Sequence, residues 1–147
     1  MLMSYSFLNF LHLLGLTFGV GGLTVKLRLL VKCNSDLDFV PVFFEVVKPI
    51  TMIIILGQVL LTITGIGWMF LGYTFTPLII VKIVLLGLLW VLEPVIDIVF
   101  QPKVEKFVHS AGCIASLSFI RSLKHLLIAE IAATGIFYVL MFLGVLF

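Results

Sequence analysis

The sequence predicts an all-α integral membrane protein, a single domain over residues 1–147 built as an antiparallel bundle of four transmembrane helices with short loops. Hydrophobic residues make up 63% of the chain and charged residues 11%, against about 45–50% and about 25% in soluble domains. The charges also occur in clusters, and the stretches between them reach the roughly 20 apolar residues that a spanning helix needs. The lipid bilayer is therefore the expected surrounding.

The first two helices are predicted over residues 5–30 and 42–71. Residues 1–25 carry no Asp, Glu, Lys or Arg, and Lys26, Arg28 and Lys32 follow this apolar stretch. A cleavable signal has its basic residues before the apolar run, so we expect this segment to remain as a helix. The second helix begins near Pro41 and Pro49, because proline is tolerated in a first helical turn.

The third and fourth helices are predicted over residues 78–100 and 121–147. Residues 72–77 contain the Gly, Thr and Pro typical of a turn, so the second and third helices should form a tight hairpin. The third helix should continue toward Phe107 as a solvated end. The two longer loops, residues 31–41 and 101–120, contain six of the sixteen charged residues.

The distribution of charge predicts the orientation of the bundle. If both termini lie on one side, called side A, then the two longer loops lie on the opposite side B. Of the nine basic residues only Lys82 belongs to the A half. Short loops rich in Lys and Arg stay in the cytoplasm. The sequence thus predicts a multi-pass protein of the cytoplasmic membrane with both termini extracytoplasmic.

One face of the first helix combines a histidine with three glycines. His12, Gly15, Gly19 and Gly22 are spaced by three, four and three residues, which places them on the same side of a helix. Small residues in this register allow a second helix to approach closely. Alternatively, the flat face accommodates haem b, with His12 as an axial ligand of the haem iron. Both interpretations stay open at this point.

Lys82 is expected in the same leaflet as His12. An ammonium at this depth costs about 2.5–3.5 kcal/mol unless it is paired or reaches water. One interpretation is that its long side chain extends to the outer interface. The other is that Lys82 binds a carboxylate or propionate of a ligand held beside His12, either as a propionate partner or as a second ligand of the iron.

Three carboxylates are predicted to share the inner half of the bundle. Glu93 and Asp97 are four residues apart on the third helix, and Glu130 lies within the fourth. Ionisable residues within spanning helices are costly and are usually paired or functional. Glu93, Asp97 and Glu130 are therefore interpreted either as members of an ion-pair cluster or as a proton relay to the cytoplasm.

Two segments resemble a known group of small membrane proteins. They are LHLLGLTFGVGG, which contains His12, and PLIIVKIVLLGLLWVLEP, which contains Lys82. The pattern resembles the HemJ-type protoporphyrinogen oxidases and the CopD-like membrane domains over the first three helices. The resemblance implies a haem b site at His12 and Lys82, and for the HemJ type a haem-dependent oxidation of protoporphyrinogen IX. The chain departs from the HemJ type after the first helix, where it reads VKLRLLVKCN.

Three functional hypotheses follow from these residues. The first is a haem-binding redox protein that uses His12 and Lys82, with enzymatic activity left open. The second is an accessory subunit of a larger membrane complex, or a homo-oligomer, in which charged helix faces contact partners. The third is a small proton-coupled transporter or channel that uses Glu130, Glu93 and Asp97. Nucleic acid is excluded as a partner, since no basic run is interleaved with aromatic residues.

Overall fold

The computed structural model describes residues 2–72, 76–109 and 116–145, and within these it is helical without any strand. Four segments are long and apolar enough to cross a membrane. The predicted all-α bundle with four long apolar helices is thus confirmed. The helices are α1 (Leu2–Ser35), α2 (Val40–Phe70), α3 (Pro77–Val95), α4 (Gln101–His109) and α5 (Leu117–Val145).

The connection between α1 and α2 is shorter than predicted. Helix α1 ends at Ser35 rather than near residue 30, and the amide of Asp36 still donates to the carbonyl of Lys32 at 2.8 Å. A 3₁₀ turn over Leu37–Phe39 leads directly into α2. Because the helical hydrogen bonds continue through residues 31–35, the predicted loop over 31–41 is wrong for its first part.

Helices α3 and α4 form one continuous helical segment joined by a π turn over Ile96–Phe100. Helix α3 begins with Pro77 after Thr76, whose side chain accepts from the amide of Ile79. Pro94 lies inside the helix and has no amide hydrogen to donate, which disturbs the regular pattern.

The continuation of the third helix beyond residue 100 agrees with the sequence analysis. The predicted loop over 101–120 is consequently helical over Gln101–His109. Helix α5 already begins at Leu117 rather than at residue 121. The rest of that predicted loop, residues 110–115, lies outside the described residues.

Helix α1 packs along most of α2, and α5 contacts both α1 and α3. Helix α3 touches α2 only sparsely, although the indole of Trp90 donates to Thr62 Oγ1 at 3.0 Å. Over their described residues the two helices are therefore not closely packed on each other, and the predicted tight hairpin between them is wrong. The space next to α3 is filled by α5, so α1, α3 and α5 meet in the interior.

Candidate functional site

A fully buried lysine lies where α1, α3 and α5 meet. Lys26 is 0% exposed, and its Nζ atom is 2.5 Å from Glu130 Oε1, 3.0 Å from Asp97 Oδ1 and 3.6 Å from Glu93 Oε2. We call these four residues the Lys26 cluster. Each of the three helices contributes at least one charged group, so the cluster links all three.

Helical spacing aligns the two carboxylates on the α3 side of the cluster. Glu93 and Asp97 are four residues apart, which places them on one face, and Asp97 lies in the π turn after Pro94. Apolar residues bound the cluster one turn away on each helix. The fully buried ones are Leu23 and Leu30 on α1, Leu89 on α3 and Ala133 on α5.

The charges of the Lys26 cluster do not balance. One ammonium faces three carboxylates, so full ionisation would leave two negative charges in excess. Neither oxygen of Glu93, nor Oε2 of Glu130, accepts a hydrogen bond within the described residues. A buried charge without enough partners is costly, by several kcal/mol per ion. Protons or water molecules bound at these oxygens would reduce that cost.

Exposure differs within the cluster. The side chains of Lys26, Glu93 and Glu130 are 1%, 3% and 0% exposed, whereas that of Asp97 is 22% exposed. Asp97 is therefore the member through which the cluster reaches the surface of the bundle.

The sequence analysis predicted that Glu93, Asp97 and Glu130 share one region, and the structure brings all three together. It missed Lys26, which it assigned with Arg28 and Lys32 to the charged end of the first helix. Those two residues are exposed, whereas Lys26 is buried. The spacing could have indicated that Lys26 is buried, because Lys26 follows Gly22 by four residues and lies on the same helix face as the glycines.

The glycine face of α1 packs directly on α2 and α5. A Cβ atom added at Gly57 would lie 2.5 Å from the backbone nitrogen of Gly19, so the backbones of α1 and α2 are in contact there. One added at Gly22 would lie 2.6 Å from Ile54, and one at Gly19 would overlap the ring of Phe137. The glycines thus allow α2 and α5 to pack closely against α1.

His12 lies at the other end of this face and contacts α2. Its Nδ1 atom is 2.8 Å from Thr64 Oγ1, and its ring centroid is 4.6 Å from that of Trp68. The Thr64 hydroxyl already donates to the carbonyl of Leu60 at 2.7 Å. Because a hydroxyl has one hydrogen and that of Thr64 is directed at Leu60, we assign His12 Nδ1–H as the donor to Thr64. The neutral ring then has its lone pair on Nε2.

The glycine face, as packed, does not fit a haem. Gly57, Ile54 and Phe137 fill the space that a flat ligand would need beside Gly15, Gly19 and Gly22. Lys82 is half-buried on α3. No group of three or more His, Cys, Asp or Glu side chains suited to a metal ion occurs within the described residues. Haem b at His12 stays a prediction, which an absorption spectrum of the purified chain and of His12→Ala would test.

The charged faces of α3 and α5 turn inward at the level of Lys26. The hypothesis of an accessory subunit rested on charged faces that seek partners, and here Glu93 and Glu130 are instead buried against Lys26. Assembly with other chains stays a prediction, but the charged faces of α3 and α5 no longer support it.

In comparisons with known proteins, the chain matches no family model, no curated protein and no solved structure.

Proposed function

We propose that this chain is a multi-pass protein of the cytoplasmic membrane that binds and releases protons at the Lys26 cluster, as a small proton-coupled transporter or channel. Four helices of sufficient length and apolarity support membrane insertion. The contacts of Tyr5 with Leu71, of Gly19 with Phe137 and of Lys26 with Glu130 support an antiparallel arrangement. The excess of Lys and Arg at one end supports a cytoplasmic side B with both termini outside.

The cluster would lie in the inner half of the membrane in this arrangement. Lys26 directly follows the uncharged residues 5–25, and Glu130 follows Arg121 by nine residues, which corresponds to about 13 Å of helix. Glu93 and Glu130 also lie inside their apolar segments, Pro77–Val108 and Leu117–Gly144. Ionisable side chains at such depth are expensive, and they commonly mark pathways for ions or protons.

The observation that carries the proposal is the excess of carboxylates around one buried ammonium. Lys26 neutralises one of the three carboxylates, and bound protons can neutralise the others. Uptake or release of a proton at Glu93 or Glu130 changes which carboxylate attracts Lys26 most strongly. Because Lys26, Glu93 and Glu130 lie on three different helices, such a change would alter the attraction between the helices. Proton binding at the cluster would in this way cause the helices to move relative to one another.

Proton flux in reconstituted vesicles tests the proposal. Vesicles that contain the purified chain and an internal pH-sensitive dye would be subjected to an imposed pH gradient. We expect Glu130→Gln, which keeps the size of the side chain, to reduce flux about tenfold or more, by removing one proton-binding group. Asp38→Asn is the matched control, because Asp38 is exposed in the turn between α1 and α2.

The vesicle experiment has a clear opposing outcome. Wild-type flux from a Glu130→Gln chain that is folded by circular dichroism would overturn transport through the cluster. Equal losses in Glu130→Gln and Asp38→Asn would show that the effect is not specific to the buried group.

A further inference from the structure

A line of polar residues leads away from the Lys26 cluster along the α3–α4 segment. Glu93, Asp97, Gln101 and Glu105 follow one another at four-residue intervals, which keeps successive members on neighbouring positions of one face. Glu93 is buried, and the other three are half-buried. We call these four residues the α3–α4 polar stripe.

Gln101 adds to the stripe an uncharged buried oxygen without a hydrogen-bond partner in the part of the chain that the structure describes. Its Oε1 atom is shielded from solvent and accepts no hydrogen bond within the described residues. Buried amide oxygens in folded proteins are nearly always hydrogen-bonded to protein groups or to ordered water. Located one turn beyond Asp97, this oxygen is suited to hold a water molecule between Asp97 and Glu105.

The stripe ends at an open groove between α2 and α4. Glu105 lines this groove, whose volume is about 450 Å³. The other lining residues are Pro41, Phe44, Glu45, Lys48 and Val108. The groove is open and three of its lining residues are charged, so the stripe leads from a buried charge cluster to an opening with charged side chains.

The opposite direction from the cluster is closed by close packing. Toward the N-terminus of α1, the backbone of Gly19 touches Gly57 and the ring of Phe137 packs on Gly19. Both Gly19 and Phe137 are seven residues from the cluster members on their helices, Lys26 and Glu130. Two turns of packed glycine and aromatic contacts thus separate the cluster from the end of the bundle that contains His12.

The π turn contains Asp97, the most exposed member of the cluster and the second residue of the stripe. Asp97 lies in this turn, three residues after Pro94. A π turn interrupts the regular hydrogen bonds of an α-helix and occurs frequently at functional sites. The carboxylate of Asp97 is 3.0 Å from Lys26 Nζ, so Asp97 belongs to both the cluster and the stripe.

From these observations we infer that protons reach the Lys26 cluster from the groove at Glu105, by way of Gln101 and Asp97. In the conformation described here the half-buried residues of the stripe lie on the groove side of the cluster, and the packed contacts of Gly19 and Phe137 lie on the other side. A proton from groove water passes Gln101 on a water molecule held by the amide, which neither gains nor loses a proton. It then binds the Asp97 carboxylate and is passed to Glu93 or Glu130. This inference rests on the proposed proton binding at the cluster.

Hydrogen–deuterium exchange of the buried carboxylic acid tests the route. In the infrared spectrum of the purified chain, the carbonyl band of a protonated carboxylic acid would be assigned by its loss in Glu130→Gln or Glu93→Gln. The rate at which this band shifts in heavy water then measures access to the cluster. We expect Gln101→Leu to slow the shift about tenfold or more, because leucine cannot hold the water molecule.

Control variants separate the route from general effects. Asn34→Leu makes the same change from amide to leucine at an exposed position of α1 near the same end, and it should exchange at the wild-type rate. Gln101→Glu supplies a polar group again and should restore fast exchange. Glu105→Leu, at the mouth of the groove, tests the same path if Gln101→Leu does not fold, and it should also slow exchange because leucine cannot hold a water molecule there.

The outcomes distinguish the route from the proposed function. Wild-type exchange in a folded Gln101→Leu chain, or in Glu105→Leu where the Gln101 variant does not fold, would overturn the route and leave proton binding at the cluster intact. The absence of any band that is lost in Glu130→Gln or Glu93→Gln, over the whole pH range in which the chain is folded, would overturn the proposed function itself.

Discussion

The Nζ atom of Lys26 on α1 lies 2.5 Å from Glu130 Oε1 on α5, and both side chains are almost completely shielded from solvent. Neither charge has access to water as an alternative partner, so each depends on the other. The pair joins two helices that are far apart in sequence. At the same level, the continuous α3–α4 segment contributes Glu93 and Asp97. Loss of either partner should therefore change the stability of the folded protein.

Replacement of Lys26 should destabilise the fold strongly. Lys26→Met keeps the length of the side chain but leaves three carboxylates without their cation. Breaking a buried ion pair in this way costs about 3–5 kcal/mol, and denaturant titration in detergent micelles would measure the loss. Lys124→Met, at an exposed position of α5, should change the free energy of unfolding by less than about 0.5 kcal/mol.

A double-mutant cycle then measures the coupling of Lys26 to Glu130. The Lys26→Met/Glu130→Gln chain should lose less stability than the two single variants together, because no unpaired charge of this pair remains. Coupling of about 0.5–3 kcal/mol is expected for groups in contact. Strictly additive losses would show that the two side chains do not interact in the folded protein.

The glycine contact between α1 and α2 should not tolerate a methyl group. In Gly57→Ala the added Cβ would lie 2.5 Å from the backbone nitrogen of Gly19, so the helices must separate. Overpacking of this kind costs about 1–3 kcal/mol, which a thermal melt followed by circular dichroism would detect. Gly21→Ala is the matched control, since nothing lies within 4 Å of its added Cβ. A lower melting temperature for Gly21→Ala than for Gly57→Ala would contradict the packing described here.

The hydrogen bond between His12 and Thr64 should contribute to the association of α1 and α2. Thr64→Val keeps the shape of the side chain and leaves the Nδ1–H group of His12 without its acceptor. An unsatisfied donor of this kind costs about 1–3 kcal/mol, again measurable by denaturant titration. Thr17→Val removes a hydroxyl that bonds only within its own helix, to the carbonyl of Leu13, so its effect should be smaller. Equal effects of the two variants would argue against an interhelical bond.

The proposed orientation can be tested with reporters fused to the C-terminus. Alkaline phosphatase is active only outside the cytoplasm, so we expect an active phosphatase fusion and a dark fusion to a fluorescent protein that matures only inside. The reason is the excess of Lys and Arg at the opposite end of the helices. A bright fluorescent fusion with inactive phosphatase would place the C-terminus in the cytoplasm and reverse the proposed topology.

The number and composition of the helices follow from the order of amino acids alone. Long apolar stretches bounded by charge clusters predict four helices, because backbone polar groups within an apolar surrounding must be satisfied by helical hydrogen bonds. The end of the first helix was predicted less well, at residues 31–35. Charged residues there suggested loops, yet charged side chains are compatible with helix wherever they can reach water.

The partners of the polar side chains were decided by packing. Lys26 has the same neighbours in sequence as a lysine at a helix end, and only the contact of α1 with α3 and α5 shows that it is buried against Glu93, Asp97 and Glu130. Similarly, spacing placed His12, Gly15, Gly19 and Gly22 on one face, but both a ligand and a helix were compatible with that face. Apolarity and charge spacing are local properties of a chain, so the sequence establishes four membrane-length helices. Which faces meet depends on contacts between distant residues, and therefore only the packed bundle assigns Gly57 to the glycine face and three carboxylates to one buried lysine.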